Sequence, residues 1–225
     1  MTNLITGQSA FDWINRFTLR FAEAQDRLTD LDRLAGDGDF GTNIASALRR
    51  TSDALPTRDS ATFVTVFAAA SKGFLATGGT SGPLFGMWLR DISKSATPTG
   101  ATAVELASGV AAGLATIQKL GGAKVGDNTM IDALAPAAAA LTESANDGGA
   151  VSEALASAAS AAWVGAESTG ALIASRGRAS YVGELARGVL DPGAVTIAML
   201  FEAGAIATGA LEERAPLARL DAFAS

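Results

Sequence analysis

Hydrophobic residues recur at helical spacing through most of this chain, and this periodicity is the feature that most constrains its fold. In the stretch SAFDWINRFTLRFAEAQDRL, residues Phe11, Ile14, Phe17, Phe21 and Leu28 are separated by three or four positions, or by sums of these numbers. Residues at such spacings lie on one face of an α-helix. No segment shows a convincing polar and apolar alternation of the kind that is typical of strands. The sequence therefore predicts an all-α fold.

Eight helices are expected, joined mostly by short loops. The predicted ranges are 8–29, 42–54, 60–77, 83–95, 100–119, 128–145, 150–174 and 193–213. Short connections favour an antiparallel up-and-down bundle or barrel, and no stretch reads as a linker, so residues 1–225 are expected to form a single domain.

Local signals mark several helix ends. Pro136 is expected to kink or interrupt the sixth helix. Asp127 or Asn128 is the expected cap at the start of that helix, and Asp191 followed by Pro192 is expected to start the eighth.

Four unusual loops are predicted to meet at one end of the barrel. In an up-and-down arrangement the first, third, fifth and seventh loops share an end. They contain LAGDGDFGTN, TGGTSGP, LGGAKVGDNT and SRGRASYVGELARGVLDPG. The loops at the other end are ordinary polar turns, so a single site is expected at one end only.

Cysteine and histidine are both absent from the 225 residues. Disulfides, thiolate metal sites and phosphohistidine formation on this chain are thereby excluded. The remaining residue types disfavour zinc and copper, and they leave Mg²⁺, Mn²⁺ or Ca²⁺ held by oxygen ligands as the metals to expect.

Charge and hydropathy limit the possible partners. The formal net charge of −6 argues against nucleic acid, whose binding depends on Lys and Arg. The N-terminus has no signal-peptide pattern, and no uncharged apolar run approaches the ~18 residues of a membrane span. We expect a cytoplasmic protein with neither a nucleic-acid nor a membrane partner.

Asp32, Asp37 and Asp39 are the strongest candidate site residues. Three carboxylates brought together by a glycine-rich turn would repel one another unless a cation lay between them. An EF-hand is excluded, because no glutamate follows at the required spacing. An aspartate-rich surface turn is the competing interpretation.

The other three loops suit an anion. GGTSGPLFG offers main-chain N–H groups and the hydroxyls of Thr80 and Ser81 at a helix start, although a tight turn between helices would explain that stretch alone. Arg176 and Arg178, predicted at the same end, are placed to pair with the aspartates or to clamp a phosphate. Together the four loops suit a polyphosphate held through metal ions.

Five ordered blocks of the sequence resemble the L subunit of the dihydroxyacetone kinase family, which is the nucleotide-binding part of those enzymes. The blocks are LDRLAGDGDFGTN, GGTSGPLFG, GDNTMIDALAP, GRASYVGE and DPGA, and the resemblance covers nearly the whole chain. It implies an eight-helix antiparallel barrel that binds ADP or ATP at one end through two Mg²⁺ ions.

The resemblance also implies a role for each matching residue. The implied metal ligands are Asp32, Asp37 and Asp39. The implied phosphate side consists of Gly41, Thr42, Asn43, Thr80 and Ser81. The implied frame of the adenosine consists of Leu84, Gly121, Thr129 and Met130. The implied pocket is completed by Arg178, Asp191, Pro192 and Gly193, with Arg178 the candidate for stabilising charge during phosphoryl transfer.

Phe40 departs from the family pattern, since many relatives have histidine at this position. A phenylalanine side chain cannot donate a hydrogen bond to a phosphate. Either that contact is dispensable or this protein handles nucleotide differently.

The resemblance implies that a separate K-type subunit holds the small ketose through a histidine. The acceptor would be dihydroxyacetone or a similar ketose such as erythrulose. Some relatives exchange ATP freely, whereas others keep ADP bound and have it rephosphorylated by a phosphocarrier of the phosphotransferase system. The donor, and whether the chain forms a homodimer, stay open.

Two other functions remain as alternatives. Phe40 motivates a regulatory nucleotide-binding module without catalytic activity. The alanine-rich helices motivate a hollow, lipid-binding barrel related to fatty-acid kinases.

Overall fold

The computed structural model describes residues 4–176, 178–181, 183 and 187–213, and eight α-helices account for most of them. The helices are α1 Gly7–Ala35, α2 Phe40–Ala54, α3 Phe63–Leu75, α4 Ser81–Lys94, α5 Ala103–Gly121, α6 Met130–Asn146, α7 Val151–Ser168 and α8 Pro192–Ala207. The only extended pairing within the described ranges consists of two isolated bridges. The prediction of an all-α fold with eight helices is confirmed.

Most helix boundaries lie within a few residues of their predicted positions. α8 ends at Ala207 instead of 213, and the other larger differences have local causes. α1 continues six residues beyond the expected end at position 29, because the buried side chains of Leu31 and Ala35 extend its apolar face as far as Gly36. α7 ends at Ser168 instead of 174, where the chain enters a short 3₁₀ turn. α6 runs through Pro136 without ending there.

The helices form a closed ring in chain order. Each helix packs against the next one, and α8 packs against α1 to close the ring. This order places the α1–α2 connection opposite the α5–α6 connection at the same end. It is the antiparallel up-and-down barrel that the short loops predict.

α8 is buried along its length, from Pro192 to Ala205. The indole Nε1 of Trp13 on α1 donates a 2.7 Å hydrogen bond to the main-chain oxygen of Leu200. From α4, the Trp88 ring lies 5.9 Å from that of Phe201. α8 therefore closes the ring as a helix that is covered on all sides, not as one with a face in solvent.

One ion pair sets the position of α8. Glu202 is the only charged residue of this helix, and it accepts a hydrogen bond from Arg20 of α1. Both side chains are nearly fully buried. A buried charge left without its partner costs several kcal/mol, so this pair disfavours other registers of α8.

Aromatic side chains fill the space between the helices. Trp13, Trp88 and seven phenylalanines are less than 2% exposed. This packing gives no support to the hollow lipid-binding barrel. No described helix is both long enough and apolar enough to cross a membrane.

Candidate functional site

A cavity of about 240 Å³ opens at one end of the barrel. Its wall is built from the α1–α2, α3–α4, α5–α6 and α7–α8 connections and from the helix ends beside them. These are the four loops that were predicted to share an end. None of the described lining residues comes from the three connections at the other end.

Three carboxylates converge on one side of this cavity. Asp32 lies in the last turn of α1, while Asp37 and Asp39 lie in the connection 36–39. Each offers a carboxylate oxygen, and the three oxygens lie within 4.8 Å of one another. Oxygen donors grouped this closely suit a hard divalent cation such as Mg²⁺.

The connection that holds the carboxylates is fixed by main-chain contacts. Gly38 has φ +75°, a conformation that favours glycine. The main-chain N–H of Phe40 donates a 3.0 Å hydrogen bond to Asp32 Oδ2, which ties the end of α1 to the start of α2. Asp39 precedes α2, but its side chain makes no capping hydrogen bond to that helix.

Phe40 contributes packing where relatives are expected to have histidine. Its side chain is only 6% exposed and belongs to the hydrophobic core, although it also touches the cavity. The polar contribution of this position is therefore its main-chain N–H, which orients Asp32.

The α3–α4 connection adds hydroxyl groups and a helix N-terminus. Gly78, Gly79, Thr80 and Ser81 line the cavity. Thr80 precedes α4, and its side chain makes no capping hydrogen bond. Free N–H groups at a helix start attract anions, so this wall suits a phosphate.

The wall near the α5–α6 connection is mainly apolar. Ile117, Ala123, Met130 and Ile131 line it, and Leu84 of α4 lies on the same side of the ring. An apolar wall opposite a carboxylate cluster gives the cavity one end for a flat hydrophobic group and one end for charge.

Thr129, not Asp127 or Asn128, caps α6. Its side chain accepts a hydrogen bond from the N–H of Ile131, while Asp132 Oδ2 accepts one from the N–H of Thr129 at 2.8 Å. The expected choice of Asp127 or Asn128 was wrong, because the reciprocal hydrogen bond that Asp132 accepts from Thr129 selects Thr129 as the cap.

Asp127 joins the α5–α6 connection to the segment after α7. Its Oδ1 accepts a 2.6 Å hydrogen bond from the Ser175 hydroxyl, and its Oδ2 lies 3.7 Å from Arg176 Nε. The Ser175 hydrogen bond lowers the pKa of Asp127, and the N–H of Lys124 adds to this effect. Asp127 is therefore a charged tie between two of the four site loops.

Asp191 starts α8 at the edge of the cavity, as predicted. Its Oδ2 accepts a 2.7 Å hydrogen bond from the N–H of Ala194, with Pro192 in the first turn. Burial is the main cause that raises the pKa of Asp191 to about 7; the hydrogen bond from Ala194 opposes this rise, and the nearby carboxylates of Asp132 and Asp32 add to it. A cation in the aspartate cluster would oppose this rise.

Comparisons with known proteins agree with this geometry. A sequence model described as the DAK2 domain matches residues 34–205. The chain belongs to the DAK2 domain family. It is 36% identical over 195 residues to the PEP-dependent dihydroxyacetone kinase 1 ADP-binding subunit DhaL of Listeria innocua, covering 86% of this chain and 93% of that protein. It is 33% identical to the PTS-dependent dihydroxyacetone kinase ADP-binding subunit DhaL of Lactococcus lactis, covering 88% and 96% of the two chains.

A solved structure is similar to this DAK2 domain over most of its length. It is the dihydroxyacetone kinase of C. freundii in complex with AMP-PNP and Mg²⁺, with a TM-score of 0.65 and 29% sequence identity. The match covers 88% of this chain but only 33% of that kinase. The chain is therefore a DhaL-type domain of the dihydroxyacetone kinases, and its match spans most of the length of the separate DhaL subunits.

Most of the predicted nucleotide-site residues of this DAK2 domain line the cavity. They are Asn43, Thr80, Ser81, Leu84, Gly121, Thr129, Met130, Asp191, Pro192 and Gly193, with the three aspartates. Gly41 and Thr42 do not: Gly41 is buried against Thr29 of α1, and Thr42 is exposed on α2. Arg178 starts a short 3₁₀ helix, but its side chain lies outside the described residues, and its role stays a prediction.

Asn128 lines the cavity of the DAK2 domain without having been singled out as a ligand. It is 6% exposed, its φ is +59°, and its side-chain oxygen has no hydrogen-bond partner. Asparagine tolerates this left-handed conformation better than most residues do. The run Asp127-Asn128 before a helix is typical of a turn. The burial of Asn128, however, depends on tertiary packing.

Replacing Asp191 by asparagine should change how the stability of the DAK2 domain depends on pH. The folded pKa of about 7 exceeds the ordinary 3.8, so the folded state holds this proton more tightly than the unfolded state. The carboxyl group therefore lowers stability as pH rises from about 4 to about 7, and by a constant amount above that. Because asparagine can still accept the hydrogen bond from Ala194, Asp191→Asn should be more stable than the wild type at pH 8, by about 2–4 kcal/mol.

Urea unfolding between pH 4 and pH 8, without Mg²⁺ and with a chelator, measures this difference. The variant and the wild type should agree near pH 4 and separate as pH rises. Asp59→Asn, in an exposed turn at the other end of the barrel, is the matched control. Parallel profiles for Asp191→Asn and the wild type would contradict the raised pKa.

Proposed function

We propose that this chain is the ADP-binding subunit of a dihydroxyacetone kinase. It would hold a magnesium-bound adenine nucleotide and pass its terminal phosphoryl group to a short ketose held by a separate subunit. The observation that carries the proposal is the convergence of Asp32, Asp37 and Asp39 beside two helix starts at the mouth of a partly apolar cavity.

The three aspartates would hold the metal. Their carboxylate oxygens fit the ligand preference of Mg²⁺, and their mutual repulsion is relieved when a divalent cation lies among them. Two Mg²⁺ ions are the stoichiometry that we propose. When bound, Mg²⁺ would neutralise the charge that develops on the transferred phosphoryl group.

The remaining walls would position the nucleotide. The first turns of α2 and α4 and the hydroxyls of Thr80 and Ser81 face the side where phosphates would lie. Leu84, Gly121 and Met130 offer the surface on which a flat adenine ring would pack. Positioning and charge neutralisation are the main contributions that an enzyme makes to phosphoryl transfer.

A partner is proposed because the resemblance to the dihydroxyacetone kinases implies that a separate subunit holds the ketose through a histidine. The chain has no histidine or cysteine. Large apolar side chains, each more than half exposed, stand near this end of the barrel: Leu34, Leu120, Val125 and Tyr181. Exposed apolar residues grouped around a site are typical of a protein-binding surface. We propose that they receive the ketose-bearing subunit.

The proposed phosphoryl donor is a phosphocarrier protein of the phosphotransferase system. The Listeria innocua and Lactococcus lactis proteins, which this chain matches over 93% and 96% of their lengths, are named PEP-dependent and PTS-dependent ADP-binding subunits. In such a scheme ADP stays on the protein and is recharged there. A chain without a histidine cannot itself carry a phosphohistidine, so the carrier must be another protein.

Native mass spectrometry tests the proposal. The protein purified without added nucleotide should retain ADP with two Mg²⁺ ions, and isotopically labelled ATP with Mg²⁺ should replace it only slowly. Rapid replacement would overturn the phosphocarrier as donor and favour a kinase subunit that uses free ATP. Failure to bind any adenine nucleotide, before or after the addition, would overturn the nucleotide-binding function.

A further inference from the structure

We infer that Arg176 is a specificity-determining residue that stacks on the nucleobase, and that Asp127 is the positioning residue that holds it there. This inference rests on the proposed function, since it concerns the nucleobase end of the same cavity. It goes beyond the metal and phosphate contacts, because it assigns the α7–α8 segment to recognition of the base.

The guanidinium of Arg176 lies flat on the end of α5. A Cβ atom built at Gly122 would lie 3.7 Å from Nη1, 3.8 Å from Nη2 and 3.9 Å from Cζ. Three such similar distances mean that a face of the planar group, not its edge, covers Gly122. Gly121 and Ala123, on either side of it, line the cavity together with Arg176.

The charge of Arg176 is already partly compensated at this position. Its Nε lies 3.7 Å from Asp127 Oδ2, and Gly122 is the C-cap of α5, where the helix dipole favours a cation. A cation whose charge is partly compensated in this way attracts phosphate less strongly than a free one does. Its planar surface remains able to stack on an aromatic ring, which an arginine does well and a lysine does not.

The side chain also lies at the correct end of the cavity for a base. The ring order places the α5–α6 connection opposite the α1–α2 connection, which holds the three aspartates. The apolar side chains Ile117, Ala123 and Met130 line the same wall as Arg176. A nucleotide whose phosphates face the aspartates therefore directs its base towards Arg176.

Asp127 fixes the position of Ser175 through two hydrogen bonds. It accepts a 2.6 Å hydrogen bond from the hydroxyl of Ser175, and its main-chain oxygen accepts one from the N–H of Ser175 at 3.2 Å. Residue 175 is thus fixed by its side chain and by its main chain. Arg176 follows directly, so its placement depends on Asp127 without Asp127 touching the cavity itself.

Calorimetric titration with Mg-ADP and with Mg-pyrophosphate separates a contact to the base from a contact to phosphate. Arg176→Ala should weaken Mg-ADP binding about tenfold, which corresponds to about 1.4 kcal/mol, and should change Mg-pyrophosphate binding less than about twofold. Arg176→Lys should behave like Arg176→Ala, because it keeps the charge but loses the plane. The preference for Mg-ADP over Mg-CDP should fall in both variants.

Asp127→Asn should weaken Mg-ADP binding in the same sense by a smaller factor, and it should add little when combined with Arg176→Ala. Arg49→Ala, on an exposed part of α2, is the matched control for loss of one positive charge. Parallel losses for ADP and pyrophosphate would show that Arg176 binds phosphate and would overturn the inference. Unchanged binding of both ligands by Arg176→Ala would overturn it as well.

The proposed function has a separate criterion for failure. A wild-type protein that binds neither Mg-ADP nor Mg-pyrophosphate would reject the nucleotide site as a whole. A wild-type protein that binds both, with Arg176 variants that do the same, would reject only the role of Arg176.

Discussion

Asp37→Asn is expected to abolish measurable binding of Mg-ADP at micromolar nucleotide, a loss of at least about 100-fold. Asp37 supplies one of three carboxylate oxygens that lie within 4.8 Å of one another, so the substitution removes a third of the ligand charge. An amide is a weaker ligand for Mg²⁺ than a carboxylate is, and both the metal and the phosphates that it holds would be lost together.

The same substitution should leave the fold intact. Asp37 is exposed and lies in the connection between α1 and α2, outside any helix. Far-ultraviolet circular dichroism and the urea midpoint of the metal-free protein should therefore match those of the wild type, or the midpoint should rise slightly because a like charge has been removed.

Calorimetric titration with Mg-ADP is the measurement, and Asp53→Asn is the control. Asp53 is exposed near the end of α2 that lies away from the cavity, so its loss removes the same charge without touching the cluster. Asp53→Asn should bind Mg-ADP as the wild type does. An unchanged affinity in Asp37→Asn would reject the aspartate cluster as the metal site.

Gly41→Ala is expected to destabilise the protein by about 2–4 kcal/mol. A Cβ at this position would lie 2.0 Å from Thr29 Oγ1 and 2.8 Å from the main-chain oxygen of Gln25. The side chain of Thr29 can rotate, but the main chain of α1 cannot yield without separating α1 from α2. The affected pair of helices is the one that holds the aspartate cluster.

Urea unfolding of Gly41→Ala, alone and combined with Thr29→Ala, tests whether the contact with α1 causes the loss of stability. The double variant should recover part of the loss, because the hydroxyl clash is gone while the contact with Gln25 remains. Gly78→Ala is the control, since nothing lies within 4 Å of a Cβ at Gly78. A stable Gly41→Ala protein that no longer binds Mg-ADP would instead favour the expectation that Gly41 lines the phosphate side.

The helical fold and the shared end of four loops could be predicted because both follow from local patterns. The spacing of apolar residues identifies a helix, and short loops allow only antiparallel neighbours. Asp191 was predicted as a cap from its position before Pro192, and the structure confirms it. These features depend on residues close together in the chain.

The features that were missed depend on residues far apart in the chain. Arg176 lies on Gly122 through the tie between Ser175 and Asp127, some fifty residues apart, which no local pattern reveals. The resemblance to the family implied that Gly41 faces phosphate, whereas its place is fixed by Thr29 on the preceding helix. The burial of α8 was readable in part, because a helix that is apolar on all sides is typical of a buried one.

α8 is the last of the described helices to leave the ribosome, yet it closes the ring by packing against both α1 and α7. Until it emerges, the indole of Trp13 and the ring of Trp88 have no α8 to pack against. The growing chain must therefore carry exposed apolar surface through nearly the whole of its synthesis, the state in which proteins aggregate or are captured by chaperones. Contacts between helices so distant in sequence also form slowly. Expression yield should consequently be more sensitive to substitutions in α8 than to equally buried substitutions in α3 or α4.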